Sequence, residues 1–147
     1  MISYPVYFHG ESDAGPGMSS AWETSASAMS VMCAVPVEFE GGGGHFSPED
    51  YFLMALQNCF VATFKVFSHY SKLQFSGVRT RAKLTVDKSP EGQPMMKELH
   101  LHIFIDGAQD LKKAKLLAQK TLDTGFILKS VKTTIIPEVT INDERVV

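Results

Sequence analysis

The feature of this chain that most constrains its fold is a long apolar segment that follows a helix-start signature. Ser47, Pro48 and Asp50 suit such a start. A serine caps a helix, a proline is tolerated at its first position, and an acid three residues after the serine completes a capping box. From 51 to 64 the residues are apolar on nearly every face of the predicted helix. Since a helix that is apolar all round belongs inside a core, the sequence predicts a buried central helix over residues 48–64.

Polar side chains interrupt this predicted helix mainly at one place. Gln57, Asn58 and Cys59 lie together in its middle, and Thr63 is the next polar residue. A polar group in apolar surroundings is costly unless its hydrogen bonds are satisfied. Cys59 is therefore the first candidate for a functional residue, although a buried cysteine most often acts as a small, inert hydrophobic side chain.

The charges of the chain are divided unevenly between its two parts. Residues 1–64 carry seven acids and no lysine or arginine, whereas residues 65–147 carry all 14 bases and the other nine acids. This asymmetry favours docking of two halves or of two copies, and the alternative interpretation is a set of solvated faces. From its length we expect the chain to form one domain, residues 1–147.

Neither a membrane nor a nucleic acid is predicted as a partner. The first residues lack the basic and apolar regions of a signal peptide, and no segment reaches the roughly 20 apolar residues of a membrane span. Two cysteines without a secretory signal favour a reducing, cytoplasmic setting. The lysines between 112 and 120 form the polar face of an amphipathic helix, and they lack the interleaved aromatic residues of a nucleic-acid site.

Alternating apolar residues predict strands on both sides of the central helix. The predicted strands span residues 2–9, 20–27, 29–39, 78–87, 98–105 and 132–141. A second helix over residues 108–122 ends near Gly125, and Pro137 places the last strand at an edge or a bulge. These elements predict an α+β fold in which antiparallel sheets surround a long buried helix.

The segment from Phe46 to Phe60 resembles the OsmC/Ohr family, the osmotically induced and organic-hydroperoxide-resistance proteins. Members of that family begin their central helix with an Asn/Ser-Pro-Glu type of entry and carry a reactive cysteine about one helix later. Pro48-Glu49 and Cys59 match those positions and their spacing. The resemblance implies an intertwined homodimer with the reactive cysteine at the interface, and reduction of organic hydroperoxides in oxidative or osmotic stress defence.

Two departures from the family pattern concern the chemistry. The family's second cysteine, in a turn after a later helix, would fall near Gly125, and the loop arginine of peroxidase members has no counterpart in residues 1–64. In the family, the glutamate that matches Glu49 orients that arginine. Glu49 itself lies ten residues before Cys59, about 15 Å along one helix, so it approaches the thiol only from a partner chain or through a loop.

A cation is needed near Cys59, because peroxide reduction requires a thiolate. The helix dipole is a poor source, since Cys59 lies about 18 Å from Ser47 along the helix and the dipole effect fades within the first turn. His45, next to the helix start, is the most plausible substitute for the arginine. The other candidates are His9, Arg79 and Arg81.

Cys33 is the only other cysteine, and two interpretations stay open for it. It is either a buried structural thiol of a strand or a substitute resolving thiol that closes a disulfide with Cys59. The disulfide requires α-carbons within about 7 Å of each other. Without it, Cys59 acts as a one-cysteine peroxidase whose sulfenic acid is recycled by an external thiol reductant.

Two functional hypotheses follow from these residues. In the first, Cys59 attacks an organic hydroperoxide, Glu49 supports it, and an apolar site accepts the substrate. The substrate-binding candidates are Phe52, Leu56, Phe60 and Phe64. In the second, the chain is a catalytically degenerate OsmC-like dimer that binds a small apolar ligand near Cys59. We predict neither a cofactor nor a metal, since the pair His100 and His102 has no further histidine or cysteine nearby.

Overall fold

The computed structural model describes all 147 residues and has an α+β architecture with two separate sheets. Backbone contacts divide the chain into two units, residues 1–52 and residues 53–147. The central helix α1 (Pro48–Tyr70) begins in the first unit and continues into the second. The predicted fold class is confirmed. None of the helices has the length and apolar character that a membrane crossing needs.

The first unit contains a three-stranded antiparallel sheet. Its strands are β1 (Gly10–Asp13), β2 (Trp22–Ala26) and β3 (Met29–Cys33), in that order. The predicted strand 2–9 is wrong, because the first strand begins only at Gly10. A short 3-10 helix, Val37–Phe39, replaces the last part of the predicted strand 29–39. Of the residues in the three strands only Cys33 is buried, and Trp22, Thr24 and Ser25 of β2 are half-buried.

The start of α1 confirms the predicted capping box. The Ser47 backbone N–H and hydroxyl both donate to Oδ2 of Asp50, at 2.8 and 2.9 Å, and the Asp50 backbone N–H donates to the Ser47 hydroxyl oxygen at 3.1 Å. These bonds satisfy donors that a helix start leaves without an internal partner. They fix the point at which the loop ends and the helix begins, and so the position of Glu49 and Asp50 in its first turn.

Helix α1 is longer than predicted and ends at Tyr70 rather than near Phe64. One of its faces is buried by the chain, and the opposite face is exposed. The buried residues are Leu56, Cys59, Phe60, Phe64 and Ser68. The exposed ones include Ala55, Asn58, Ala62 and Val66. The sequence predicts a helix that is buried on every side, but within one chain one side of it stays exposed.

The second unit contains a mixed four-stranded sheet. In order, its strands are β4 (Gly77–Lys88), β5 (Pro94–Asp106), β6 (Thr134–Ile141) and β7 (Glu144–Arg145). The hairpin of β4 and β5 alternates as predicted, with Leu99, Leu101, Ile103 and Ile105 fully buried. β7 pairs only with Thr140 and Ile141, so Pro137 lies where β6 is the outer strand, as predicted.

One strand pair corrects the prediction of purely antiparallel sheets. β6 runs parallel to β5, with Leu101 opposite Pro137. The reason is the connection, which contains α2 (Leu111–Thr124) and the short α3 (Phe126–Lys129). A crossover through helices returns the chain to the same end of the sheet and so produces a parallel neighbour. The junction of the two helices is Gly125, which both caps α2 and precedes α3.

Candidate functional site

Cys59 lies in the middle of α1, on the face that packs into the second unit. Its side chain is buried, with 6% exposure, and its helix neighbours Leu56 and Phe60 are fully buried. Two residues before Cys59, the side chain of Gln57 donates a hydrogen bond from Nε2 to Oγ1 of Thr80 on β4, at 3.1 Å. The thiol is therefore held on a rigid element whose orientation is fixed by core packing on one side and by a hydrogen bond to the sheet.

Gly125 faces the Cys59 sulfur. A β-carbon at Gly125 would lie 3.2 Å from Sγ of Cys59, and the backbone N–H of Gly125 donates to the Thr121 carbonyl at 2.8 Å. The turn between α2 and α3 thus occupies the position where the family resemblance implies a second cysteine. Because a glycine stands there and residues 53–147 contain no other cysteine, Cys59 has no disulfide partner within the second unit.

Cys33 belongs to a second cluster, which lies in the first unit at the start of α1. It ends β3 and forms a parallel bridge with Phe46, and the next residue, Ala34, donates from its N–H to the Phe46 carbonyl at 3.0 Å. Tyr51 on the first turn of α1 donates its hydroxyl to the Met32 carbonyl at 2.7 Å. These contacts hold Cys33, which is 5% exposed, beside the acidic helix start.

The surroundings of Cys33 disfavour its thiolate. Burial raises the pKa of the Cys33 thiol, and the charges of Glu49 and Asp50 raise it further, against a backbone hydrogen bond at Ala34 that lowers it. Asp50 is used in the capping box, whereas Oε2 of Glu49 is buried without any hydrogen-bond partner. Residues 1–52 contain no lysine or arginine, so no such side chain of this unit neutralises the cluster.

We expect Cys33 to resist alkylation at a pH where an ordinary cysteine reacts. In a Cys59→Ser variant, where Cys33 is the only thiol, the iodoacetamide rate should still rise above about pH 9. The unfolded chain loses this proton first, near pH 8.5, so folding stability falls as the pH rises from that value towards the folded pKa. The measurement is the alkylation rate against pH, with the urea-unfolded variant as control. A native rate that levels off below about pH 8.5 would contradict the raised pKa.

An apolar groove of about 630 Å³ lies on the three-stranded sheet beside Cys33. Its lining includes Trp22, Met29, Val31, Cys33, Pro48 and Tyr51. The sequence analysis did not identify this groove. The feature of the sequence that could have indicated it is the alternation of Met29, Val31 and Cys33, because every second residue of a strand lies on the same face.

The other predicted site residues lie in different surroundings. His45 is exposed and borders a shallow depression of about 570 Å³ with Val31 and Met32. Phe52 is half-buried in the first unit. Leu56, Phe60 and Phe64 are fully buried in the second unit.

Aromatic packing explains that burial. Phe60 and Phe64 stack with their ring centres 5.7 Å apart, and Phe64 meets Phe75 edge-on at 5.4 Å. A substrate reaches these side chains only if the packing opens. A role in substrate binding stays a prediction for all four apolar candidates.

Comparison with known proteins identifies the family. The model for OsmC-like proteins matches residues 41–140, which include Glu49, Cys59 and Gly125. No curated protein matches the sequence.

Solved structures with the same fold have low sequence identity to this chain. An OsmC-like protein of unknown function from Vibrio cholerae is 16% identical, with a TM-score of 0.78, over 92% of this chain and 99% of that one. For an organic hydroperoxide resistance protein OsmC from Legionella pneumophila, the identity is 17% and the TM-score 0.73, over 95% and 98%. An organic hydroperoxide resistance protein from Elizabethkingia anophelis is 15% identical, with a TM-score of 0.75, over 97% and 99%. Fold and family model agree, and the chain belongs to the OsmC-like protein family.

Proposed function

We propose that this protein is a thiol peroxidase that reduces organic hydroperoxides through Cys59. Two of the similar structures are named organic hydroperoxide resistance proteins, which supports this substrate class. The observation that carries the proposal is the contact between Cys59 and the α2–α3 turn at Gly125. The family resemblance puts a reactive pair of sulfurs at these two positions, and the helix retains the first of them. Oxidative or osmotic stress defence in the cytoplasm is the proposed setting.

The first chemical step oxidises the Cys59 sulfur by two electrons. Its thiolate attacks the terminal oxygen of the hydroperoxide, an S–O bond forms, and the O–O bond breaks. The alkoxide leaves and takes up a proton to become an alcohol, and the sulfur keeps the hydroxyl as a sulfenic acid. The buried side chains Leu56 and Phe60, which neighbour Cys59 on the helix, are apolar and favour an organic substrate over hydrogen peroxide.

The second step returns the sulfur to its reduced form. Because Gly125 has no sulfur, a thiol from elsewhere attacks the sulfenic acid, water leaves, and a disulfide forms. A further thiol of an external reductant then releases Cys59 as a thiol and is itself oxidised. An external thiol reductant is therefore the proposed partner of the reaction.

The dimer is proposed because the chain leaves apolar surface uncovered at two places. The exposed face of α1 carries Ala55, Ala62 and Val66, the last with 51% exposure, and small residues allow another helix to approach closely. The three-stranded sheet exposes Met29 at 75% and Val31 at 47%. Exposed apolar surface of this kind marks an interaction site, and a second copy is the proposed cover for it.

Glu49 and His45 are the proposed supporting residues. Within its own chain Glu49 lies beside Cys33, so it supports Cys59 only from a second copy, where its carboxylate would orient a cation. His45 lies four residues before Glu49 in the loop that leads into α1. Arg79 is less suited, since it already pairs with Asp106 at 3.3 Å and lies 4.1 Å from the centre of the Phe104 ring.

Binding of a small apolar ligand without catalysis is the second candidate. The observation that favours it is the apolar groove beside Cys33, whose volume suits a small ligand. The two candidates differ in whether Cys59 is oxidised by a stoichiometric amount of hydroperoxide.

The test is mass spectrometry after one equivalent of cumene hydroperoxide, with dimedone present as a sulfenic-acid trap. We expect a dimedone adduct on Cys59, or a disulfide that contains it. Trypsin leaves both cysteines in one fragment, because the first lysine of the chain is Lys65, so cleavage after glutamate, at Glu38, Glu40 and Glu49, is needed to separate them. An unmodified Cys59 in folded protein would exclude the peroxidase and favour the ligand-binding candidate.

A further inference from the structure

We propose that the second unit binds a small phosphate-bearing ligand on the outer face of its four-stranded sheet. The site is a depression of about 490 Å³, called here the basic depression, and all of its lining residues belong to the second unit. This volume lies within the range of small-molecule sites. The site is separate from Cys59, and the inference does not depend on the proposed function. The basic lining residues are Arg81, Lys83, His100, His102 and Arg145.

Strand alternation brings these basic side chains to one face. The buried residues of β5 alternate with His100 and His102, so the two imidazoles lie on the opposite face from the core. On the neighbouring strand β4, Arg81 lies opposite His102, and Lys83 lies opposite His100. Arg145 belongs to β7 at the other edge of the sheet. The depression therefore has permanent cations on both sides of the two imidazoles.

The cations of the basic depression outnumber its acids. Arg81 and Lys83 form no ion pair. The one acidic lining residue is Glu138, whose Oε1 lies 3.6 Å from both Nε of Arg145 and Nε2 of His102. Three permanent cations against one carboxylate leave a local charge of +2 when the imidazoles are neutral. Since like charges close together on a sheet are unfavourable, an anion that binds among them relieves a repulsion.

Some of the donors are already held in place. Nε2 of His102 lies 2.9 Å from Oγ1 of Thr140, and the imidazole stacks on the ring of Phe104 with the ring centres 3.9 Å apart. The guanidinium carbon of Arg81 lies 5.6 Å from the centre of the same ring, within the range of a cation–π contact. Side chains that are held before binding lose less conformational freedom when a ligand arrives, which favours affinity.

The local charge favours a phosphate over a carboxylate. A phosphate monoester carries about −1.5 to −2 at neutral pH and has three strong acceptor oxygens, whereas a carboxylate carries a single charge. The phosphate therefore matches the local charge of +2, and the planar donor groups of two arginines suit its oxygens. The lining also includes Ile136, which is 36% exposed, and Pro137, so an organic part of the ligand has apolar contacts beside the cations.

The same face is less suited to a nucleic acid strand. Acids lie on β5 beyond both ends of the basic depression: Glu98 contacts His100 at 3.3 Å, and Asp106 pairs with Arg79 at 3.3 Å. A polyanionic chain that follows the strands meets both carboxylates, whereas a small ligand lies between them. The Phe104 ring is already stacked by His102 and contacted by Arg79, so it offers little surface for a base.

The test is an NMR titration of isotope-labelled protein with phenyl phosphate at neutral pH and low salt. Benzoate is the matched ligand, because it joins the same ring to a carboxylate. We expect phenyl phosphate to shift the resonances of His100 and His102 and to bind more tightly than benzoate. Arg81→Gln should weaken its binding about tenfold, because a hydrogen bond between charged groups is lost. Lys83→Gln is a second variant, and it should weaken binding in the same way.

Lys112→Gln is the control variant, since it removes the same charge from an exposed lysine of α2 outside the basic depression. It should leave the dissociation constant of phenyl phosphate nearly unchanged. Inorganic phosphate identifies the source of the ligand. Weaker binding than that of phenyl phosphate indicates an organic phosphate, equal binding indicates free phosphate, and both support the site.

Four outcomes would overturn the inference. One is benzoate binding as tightly as phenyl phosphate, and another is the absence of any resonance shift with either phosphate. A third is equal weakening by Lys112→Gln and Arg81→Gln, which would indicate unspecific attraction by the basic unit. The fourth is tighter binding of an oligothymidylate that is lost in Arg81→Gln, which would assign the face to a single-stranded nucleic acid.

Discussion

Cys59→Ser should reduce the consumption of organic hydroperoxide to the background rate of the buffer and reductant. A serine hydroxyl at neutral pH is a very weak nucleophile, and it forms no sulfenic acid that a thiol reductant can recycle. The loss should therefore be complete rather than partial. The measurement is the rate of cumene hydroperoxide consumption in the presence of a dithiol.

The loss of activity is informative only if the Cys59→Ser variant is folded. Serine replaces a side chain that is only 6% exposed, so a second variant, Cys59→Ala, shows whether a buried hydroxyl disturbs the core. Both variants should keep the far-ultraviolet circular dichroism of the wild type. Cys33→Ser is the matched comparison, because it makes the same chemical change at the other buried cysteine and should leave the dimedone adduct on Cys59. Hydroperoxide consumption by a folded Cys59→Ser variant would refute the proposed function.

Gly125→Cys should create a disulfide with Cys59 inside one chain. A β-carbon at position 125 lies 3.2 Å from the Cys59 sulfur, and a disulfide of normal geometry requires about 3 Å between these atoms. The φ of Gly125 is −58°, which any residue adopts. The new β-carbon also approaches the Thr121 carbonyl oxygen at 3.0 Å and Leu128 at 3.3 Å, so small shifts of these neighbours are needed.

This substitution should change both stability and the oxidised product. The bond closes a loop of 66 positions, for which the chain-entropy relation gives roughly 4 kcal/mol, reduced by strain at Thr121. Oxidised Gly125→Cys protein should unfold at a higher denaturant concentration than the same protein with dithiol. It should also show less dimedone adduct on Cys59 after hydroperoxide, because the sulfur at position 125 captures the sulfenic acid first.

Gly125→Ser is the control for this prediction, since it adds a side chain of similar size without sulfur. Intact mass before and after diamide, with thiol blocking, counts the cysteines that remain free. Retention of both thiols at positions 59 and 125 after diamide would show that the α2–α3 turn does not approach Cys59 closely enough.

Local rules predicted the parts of the fold that are encoded within a few residues. The bonds between Ser47 and Asp50 are those of a capping box, and the alternation along β4 and β5 matches their burial. The predicted strand over residues 2–9 was wrong, because alternation indicates an extended chain but does not show whether a partner strand is present. The parallel pairing of Leu101 with Pro137 depends on how α2 and α3 return the chain, which no local pattern encodes.

The candidate site shows the same division. Cys59 and Gly125 were both identified from the sequence, one by its position in an apolar helix and the other by the family resemblance. Their contact across the second unit required the structure. The proximity of Cys33 to the start of α1 was not predicted, because 13 residues of loop and 3-10 helix lie between β3 and Ser47. The absence of a hydrogen-bond donor to Oε2 of Glu49 could not be predicted either, since a sequence shows that an acid is present but not whether it is buried.

The three-stranded sheet, whose residues are mostly exposed, has a consequence for how the molecule responds to dilution. A small sheet of which only Cys33 is buried cannot offset its own loss of conformational entropy, so its order has to come from whatever covers it. If the cover is another copy, mass action governs this part of the fold: dilution withdraws the cover, and the population of ordered strands falls with subunit concentration.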